Sequence, residues 1–157
     1  MKKFSLTDLI IFIVSAELTG AVSALISGSF SSLYAEIRNP PLSPPSWVFP
    51  IVWTILYALM GTGAYLVYRN EDSGTERTTA LGLYVIQLGV NFLWSIIFFR
   101  FTLFPAAAFT ALVLLILVAA MINEFRRVNK TAAAINLPYL LWLAFAAYLS
   151  FGVWILN

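Results

Sequence analysis

The side chains in this sequence that could hold a ligand are aromatic rings and carboxamides placed at helical intervals. Trp53 and Tyr57 stand four residues apart, so they would share one face of a helix. Asn91 and Trp94, three residues apart, would do the same. Flat rings offer stacking surfaces, and a carboxamide offers a hydrogen-bond donor and acceptor. Ordinary helix packing would use the same spacing, and the alternative is a preformed pocket that offers a ligand a flat surface and a hydrogen-bonding group.

Residue types that are absent from the sequence exclude several kinds of catalysis and metal binding. The chain contains no cysteine and no histidine. It therefore has no thiolate nucleophile, and it lacks the commonest general base and metal ligand. The two usual protein ligands of haem iron are missing as well. We predict no metal site, no bound cofactor and no catalytic constellation, so any reaction would have to draw on a ligand, light and oxygen.

The composition is that of a protein embedded in a lipid bilayer. Of the 157 residues, 61% are hydrophobic and only 10% are charged, and the mean hydropathy is +0.90. Soluble domains average close to a quarter charged residues. A water-facing fold of this size could not hide so much apolar surface. The net charge of +2 gives no indication of a nucleic-acid partner.

Five segments are long and apolar enough to cross a bilayer, which requires about 20 mostly apolar residues. Sustained alternation of the kind typical of a β-barrel is not seen in the sequence. We predict an all-α integral membrane protein, a single domain over residues 1–157 that forms a five-helix transmembrane bundle. The predicted helices cover 8–28, 47–68, 79–99, 103–121 and 132–156, with a lid loop at 29–46.

Prolines predict where the chain cannot be regularly helical. Proline fixes its own φ and pushes the preceding residue toward an extended conformation. Residues 39–45 should therefore form a stiff loop, and a helix should begin at Ser46 or Trp47 with Pro50 near its first turn. Pro138 should kink the early turns of the last helix.

Basic residues are distributed unevenly between the two predicted ends of the bundle. The end that holds the N-terminus and the loops 69–79 and 122–131 carries seven, against two at the other end. For a plasma membrane, the positive-inside rule then places the N-terminus in the cytoplasm and the proline loop outside. The seven are Lys2, Lys3, Arg69, Arg77, Arg126, Arg127 and Lys130, and the two are Arg38 and Arg100.

The first predicted helix has two features with more than one interpretation. Glu17 is the one acidic residue deep in a span, and a carboxyl there is costly. It could serve a ligand or a proton, but we favour a protonated or hydrogen-bonded carboxyl that bridges to Thr19, Gln87 or Asn91. A ridge of small residues would suit either internal packing or a dimer contact. The ridge consists of Ala16, Gly20, Ala24 and Gly28.

Three stretches of the sequence resemble the translocator protein family, whose bacterial members are called tryptophan-rich sensory proteins. The first is Pro-x-x-Pro-Pro-x-Trp-x-x-Pro-x-x-Trp-Thr-x-Leu-Tyr-x-x-Met-Gly, over residues 41–61. The second is Gln-Leu-Gly-Val-Asn-Phe-Leu-Trp at 87–94, and the third is Pro-Tyr-Leu-Leu-Trp-Leu-Ala-Phe at 138–145. Together with Tyr34, they occur in the order the family has.

The resemblance implies a bundle of five helices around a cavity that opens toward the proline loop, which acts as its lid. It also implies flat, apolar ligands: porphyrins such as protoporphyrin IX, isoquinoline carboxamides and benzodiazepines. Many members are homodimers. The family's two binding tryptophans correspond to Trp53 and Trp142, its lid tyrosine to Tyr34 and its third-helix asparagine to Asn91. A cavity-wall alanine of the family corresponds to Ala146.

The function that follows is a membrane receptor or sensor that binds porphyrin. The predicted ligand-binding residues are Tyr34, Trp53, Tyr57, Asn91, Trp94, Trp142 and Ala146. The alternatives are light- and oxygen-dependent porphyrin degradation, which the resemblance links to Trp53 and Trp142, and transport of a tetrapyrrole or other small molecule. Animal members end with a proposed cholesterol motif that needs a Tyr and then a basic residue. Residues 149–155 contain neither, which argues against a sterol ligand.

Overall fold

The fold consists of helices joined by short connections. The computed structural model describes residues 3–157, so the predicted contribution of Lys2 to the charge asymmetry lies outside the described residues. A 3-10 turn at Glu71–Ser73 precedes α4, and a π-helical turn at Ile96–Arg100 follows it. Within the described range the helices are α1 (Leu6–Ser27), α2 (Phe30–Glu36), α3 (Val48–Tyr68), α4 (Gly74–Ser95), α5 (Phe104–Val128), α6 (Lys130–Ile135) and α7 (Leu137–Leu156).

Five of these stretches are long and apolar enough to cross a membrane, which confirms the predicted all-α fold class. The third span is α4 continued by the π-helical turn, and the fifth is the pair α6 and α7. The short helix α2 lies between the first two spans. The candidate spans are Leu6–Ser27, Val48–Tyr68, Gly74–Arg100, Phe104–Val128 and Lys130–Leu156.

Two predicted boundaries differ from the structure for identifiable reasons. The segment 29–46 is not a loop throughout, because Phe30 and Tyr34 stack on one face of α2 with ring centroids 5.3 Å apart. The fourth helix runs to Val128 rather than 121, because Ile122, Phe125 and Val128 continue its buried face among the charged residues of the last turns. Hydropathy locates the apolar part of a span, but charged residues continue the helix beyond it.

The kink predicted at Pro138 is confirmed as a break between α6 and α7. Proline at the second position of α7 has no N–H to continue the hydrogen-bond ladder of α6. Asn136 stands at the break, fully buried, and its Nδ2 donates to the carbonyl of Ala132. Asn129 begins α6 by accepting a hydrogen bond from the backbone N–H of Ala132. The fifth span is therefore two helices whose junction is fixed by asparagines.

Close contacts at glycines bring α3 against its neighbours at the end of the bundle that holds the N-terminus. A Cβ on Gly61 would lie 2.6 Å from the carbonyl oxygen of Phe12 and 2.7 Å from Cα of Ile13, so α1 and α3 meet backbone to backbone there. Gly63 similarly leaves room for the side chain of Asn136. Around the bundle, α1 packs on α3, α3 on α6, α5 on both α6 and α7, and α4 on both α5 and α1.

Replacing Gly61 by alanine should destabilise the protein, because its Cβ would overlap the backbone of α1. Overpacking of this kind costs about 1–3 kcal/mol. The matched control is Gly82→Ala, since a Cβ on Gly82 meets nothing within 4 Å. We expect Gly61→Ala to lower the thermal unfolding temperature in detergent and Gly82→Ala to leave it equal or slightly raised. Equal unfolding temperatures for the two variants would contradict this packing.

Candidate ligand cavity

A cavity of about 290 Å³ lies between α1, α3 and α4. Its volume is close to the lower end of the range for ligand pockets, about 300–1,000 Å³. Ala21, Ala24 and Thr54 line it and are also exposed on the surface of the bundle, so the cavity opens sideways between α1 and α3. Its lining residues are Glu17, Gly20, Ala21, Ser23, Ala24, Ser27, Gly28, Phe30, Phe49, Pro50, Trp53, Thr54, Tyr57, Asn91, Trp94, Ser95 and Phe99.

Three predicted aromatic residues form one wall of this cavity. The ring centroid of Trp53 lies 5.6 Å from that of Tyr57 and 6.4 Å from that of Trp94. The two indole planes are inclined by 37°. The Nε1 of Trp94 is buried and has no hydrogen-bond partner. The wall therefore offers stacking surface together with one unused hydrogen-bond donor.

A buried chain of hydrogen bonds joins α4 and α7 at the end of the cavity that is farthest from the lid. The Nδ2 of Asn91 donates to the hydroxyl of Tyr139 at 3.1 Å, and that hydroxyl donates to Oε1 of Gln87 at 2.8 Å. The ring of Tyr139 in turn meets Trp53 edge-on at 6.2 Å. Asn91 and Gln87 are therefore engaged within the bundle, and Asn91 also reaches the cavity surface.

Small residues of α1 form the wall opposite the aromatic rings. A Cβ on Gly20 would lie 2.2 Å from the ring of Tyr57, so only glycine admits that ring. Ala16 is fully buried, whereas Ala24 and Gly28 line the cavity. The predicted ridge thus packs internally at one end and faces the cavity at the other. The predicted homodimer gains no support from it and stays a prediction.

Hydroxyl groups on α1 and α4 join these two helices beside the cavity. Ser23 donates to the carbonyl of Phe92 at 2.9 Å, and the hydroxyls of Ser27 and Ser95 lie 3.0 Å apart. We did not predict these serines as site residues. The four-residue spacing of Ser23 and Ser27 places them on one face of α1, but only the packed structure identifies Phe92 and Ser95 as their respective partners.

Tyr34 lies in the lid and holds it in shape. Its hydroxyl donates to the carbonyl of Pro44, and its own carbonyl accepts a hydrogen bond from Asn39. Burial raises the pKa of Tyr34, so the hydroxyl remains a donor at neutral pH. Its ring packs against Phe49, which lines the cavity. Tyr34 itself lines a separate void of about 30 Å³, and Ala146 lies on the opposite side of that void.

The lid is also fastened to α7. The carboxamide of Asn157 pairs with the backbone of Arg38 in both directions, at 2.9 Å and 3.0 Å. Tyr148 donates to the carbonyl of Pro41 at 2.8 Å. A Cβ on Gly152 would lie 2.5 Å from Cβ of Pro40, so the two segments touch closely. These contacts hold the proline-rich segment on the outer half of α7.

Trp142 is not part of the wall formed by Trp53. It lines an open groove of about 440 Å³ between α3 and α7, on the outer surface of the bundle. The two tryptophans that the resemblance assigns to ligand binding therefore do not line the same cavity. The reason is that Tyr139, three residues earlier, occupies the inward position through its bonds to α4. Trp142 meets the cavity only indirectly, since Phe49 packs edge-on against it at 5.8 Å.

The predicted site residues thus fall into three groups. The cavity includes Trp53, Tyr57, Asn91 and Trp94. Tyr34 and Ala146 flank the small void under the lid, and Trp142 lines the outer groove. Sequence reasoning missed the phenylalanines at the lid end of the cavity, because their spacing does not distinguish them from lipid-facing residues. They are Phe30, Phe49 and Phe99.

Comparison with known proteins gives one consistent match. The model of the TspO/MBR family matches residues 9–155. The sheep protein named Translocator protein is 36% identical over 130 residues, which cover 82% of this chain and 77% of the relative. The Tryptophan-rich protein TspO of Chlorobaculum tepidum is 38% identical over 125 residues, covering 79% and 78%. The Tryptophan-rich sensory protein of Cereibacter sphaeroides is 36% identical over 124 residues, covering 79% and 76%. This multi-pass membrane protein therefore belongs to the TspO/MBR family.

Proposed function

We propose that this protein is a membrane receptor that binds porphyrin, such as protoporphyrin IX, and other flat apolar ligands in the cavity between α1, α3 and α4. The observation that carries the proposal is the shape of the cavity. Its aromatic wall, centred on Trp53, stands opposite the small residues of α1 from Gly20 to Gly28. A broad ring surface opposite a wall without bulky side chains leaves space for a flat molecule.

The chemistry of the wall suits such a ligand as well. A porphyrin presents two large apolar faces, and stacking on aromatic side chains removes those faces from water or lipid. The unpartnered Nε1 of Trp94 and the carboxamide of Asn91 provide polar groups near the edge of the ligand. Because the chain has neither histidine nor cysteine, a metal-free macrocycle suits it better than haem. The sideways opening would admit ligands that partition into the bilayer.

The names of two relatives favour a role in signalling or ligand handling. The Cereibacter sphaeroides relative is named a sensory protein, and the sheep relative is named a translocator. A cavity with a lid serves either role, because both require a ligand to enter and to be held. We place sensing first, since the aromatic wall provides a binding surface.

We further propose that the protein lies in a cell membrane with its lid on the outside. Asn70 donates to the carbonyl of Val128, which places two basic connections at the same end of the bundle. The positive-inside rule assigns that end to the cytoplasm. The described cations there are Lys3, Arg69, Arg77, Arg126, Arg127 and Lys130, against Arg38 and Arg100 at the lid end.

Replacing Trp53 by leucine should weaken protoporphyrin IX binding about tenfold. Loss of the central ring of the wall removes the stacking surface, which contributes about 0.5–1.5 kcal/mol beyond apolar burial. The matched control is Trp142→Leu, which removes an equal ring from the outer groove and should leave the affinity nearly unchanged. Titration of the Soret absorbance in detergent measures the protoporphyrin IX affinity of both variants without depending on tryptophan fluorescence. A larger loss of affinity in Trp142→Leu than in Trp53→Leu would indicate that the ligand binds in the outer groove instead.

Loosening the lid from α7 should speed ligand release. Tyr148→Phe removes the hydrogen bond to the carbonyl of Pro41, and one such bond contributes about 1 kcal/mol net. We expect protoporphyrin IX to dissociate about fivefold faster from this variant in stopped-flow measurements.

The control for the lid is Tyr65→Phe, the same chemical change at the opposite end of the bundle. There the tyrosine hydroxyl accepts a hydrogen bond from the backbone N–H of Ser5. This variant should lose a similar amount of stability and keep the dissociation rate of the wild type. Equal acceleration in both variants would mean that general destabilisation, and not the lid, governs release.

A further inference from the structure

Glu17 lies at the end of the cavity that is farthest from the lid. It lines the cavity together with Tyr57 and Asn91, which are the innermost lining residues of α3 and α4. By the rise of an α-helix, it lies about 15 Å along α1 from Ser27, near the lid end. The carboxyl is half-buried and lies in the middle of the first candidate span.

The carboxyl of Glu17 makes no hydrogen bond or ion pair with any residue that the structure describes. The partners predicted for it are engaged elsewhere. Thr19 donates to the carbonyl of Ser15, and both Gln87 and Asn91 are bonded to Tyr139. The prediction of a carboxyl bridged to these residues is therefore wrong. An unpaired carboxyl within the membrane is unfavourable, and such groups usually serve a ligand or an ion pathway.

The charges around the cavity are separated along its length. No lysine or arginine is among its lining residues, so Glu17 is its one charged side chain. At the other end, Arg100 donates to the carbonyl of Ile26, next to the lining residue Ser27. Arg38 lies in the lid at the same end. The cavity thus has an acidic side chain at its inner end, whereas the nearest basic residues lie outside its lining, beyond the lid end.

We propose that Glu17 recognises a basic nitrogen, so that the cavity prefers flat aromatic ligands that carry a protonated amine at their inner edge. The inference rests on the proposed function, since it takes this cavity as the ligand site. An amine or ring nitrogen that is a stronger base than the carboxylate holds the proton, and the resulting cation forms an ion pair with the carboxylate. Ligand carboxylates, including those of porphyrins, are repelled from the inner end and lie toward the lid.

The test compares two flat three-ring probes of opposite charge, 9-aminoacridine and 9-anthracenecarboxylate, by fluorescence titration in a neutral detergent. We expect the wild type to bind the aminoacridine more tightly. Glu17→Gln should bind 9-aminoacridine about tenfold more weakly than the wild type does. It should bind 9-anthracenecarboxylate at least as tightly as the wild type does. Glu36→Gln removes the same charge from an exposed residue outside the cavity and should behave like the wild type.

Further variants separate failure of this inference from failure of the proposed function. Trp53→Leu should weaken both probes, because it removes the shared stacking wall. If Trp53→Leu weakens both probes while Glu17→Gln leaves the preference for the amine unchanged, the cavity is the ligand site but Glu17 does not recognise the charge of the ligand. If Trp53→Leu affects neither probe, the cavity is not the site and both proposals fail. The absence of aminoacridine binding to the wild type would also overturn the inference.

A stability control excludes a folding artefact. Glu17→Gln is nearly isosteric and removes an unpaired carboxyl from the membrane interior, so its unfolding temperature should equal or exceed that of the wild type. Glu17→Asp keeps the charge on a shorter side chain and should retain part of the preference for the amine. Loss of the preference in Glu17→Asp to the same extent as in Glu17→Gln would indicate packing at this position and would contradict charge recognition.

Discussion

The hydrogen-bond chain from Asn91 through Tyr139 to Gln87 is the constraint on which the rest of the structure depends. All three side chains are buried in a bundle whose surroundings are lipid, where an unsatisfied polar group costs several kcal/mol. Their mutual bonds fix how α7 is rotated against α4. With Tyr139 turned inward, its ring supports Trp53 from behind, and Trp53 then presents its other side to the cavity.

The cavity itself follows from an uneven contact between α1 and the other helices. Near the N-terminus, Gly61 lets α1 and α3 meet backbone to backbone. Toward the lid, Ala24 and Gly28 offer no bulk to fill the space in front of Trp53 and Trp94. Hydrogen bonds from the serines of α1 hold α1 and α4 together beside the cavity. The result is a bundle that is closed at one end and hollow at the other.

The lid combines its own stiffness with contacts to the last helix. Prolines restrict the segment that follows α2, and Tyr34 closes that segment by its bond to Pro44. Asn157 and Tyr148 then hold it on α7 through backbone groups of Arg38 and Pro41. Since α7 also carries Tyr139, the position of the lid and the orientation of the aromatic wall depend on the same helix.

The five spans and the aromatic residues of α3 and α4 could be predicted from the sequence, because long apolar runs and helical spacing are local properties. The place of Trp142 could not. Spacing puts Tyr139 and Trp142 on neighbouring parts of one face, and only the amides on α4 decide which of them turns inward. The unpaired state of Glu17 was equally out of reach, because Gln87 and Asn91 are bonded to Tyr139, a partner that only packing brings to them. The helix α2 was missed because its aromatic packing involves α3 and the π-helical turn that follows α4.

Thiol protection by bound protoporphyrin IX tests the central claim, that the ligand occupies the cavity between α1, α3 and α4, most directly. The chain has no native cysteine, so Ala24→Cys reports on the cavity and Leu141→Cys on the outer groove beside Trp142. With both variants exposed to a membrane-permeant maleimide, we expect saturating ligand to slow labelling at position 24 and to leave position 141 unchanged. Protection at position 141 without protection at position 24 would contradict the account.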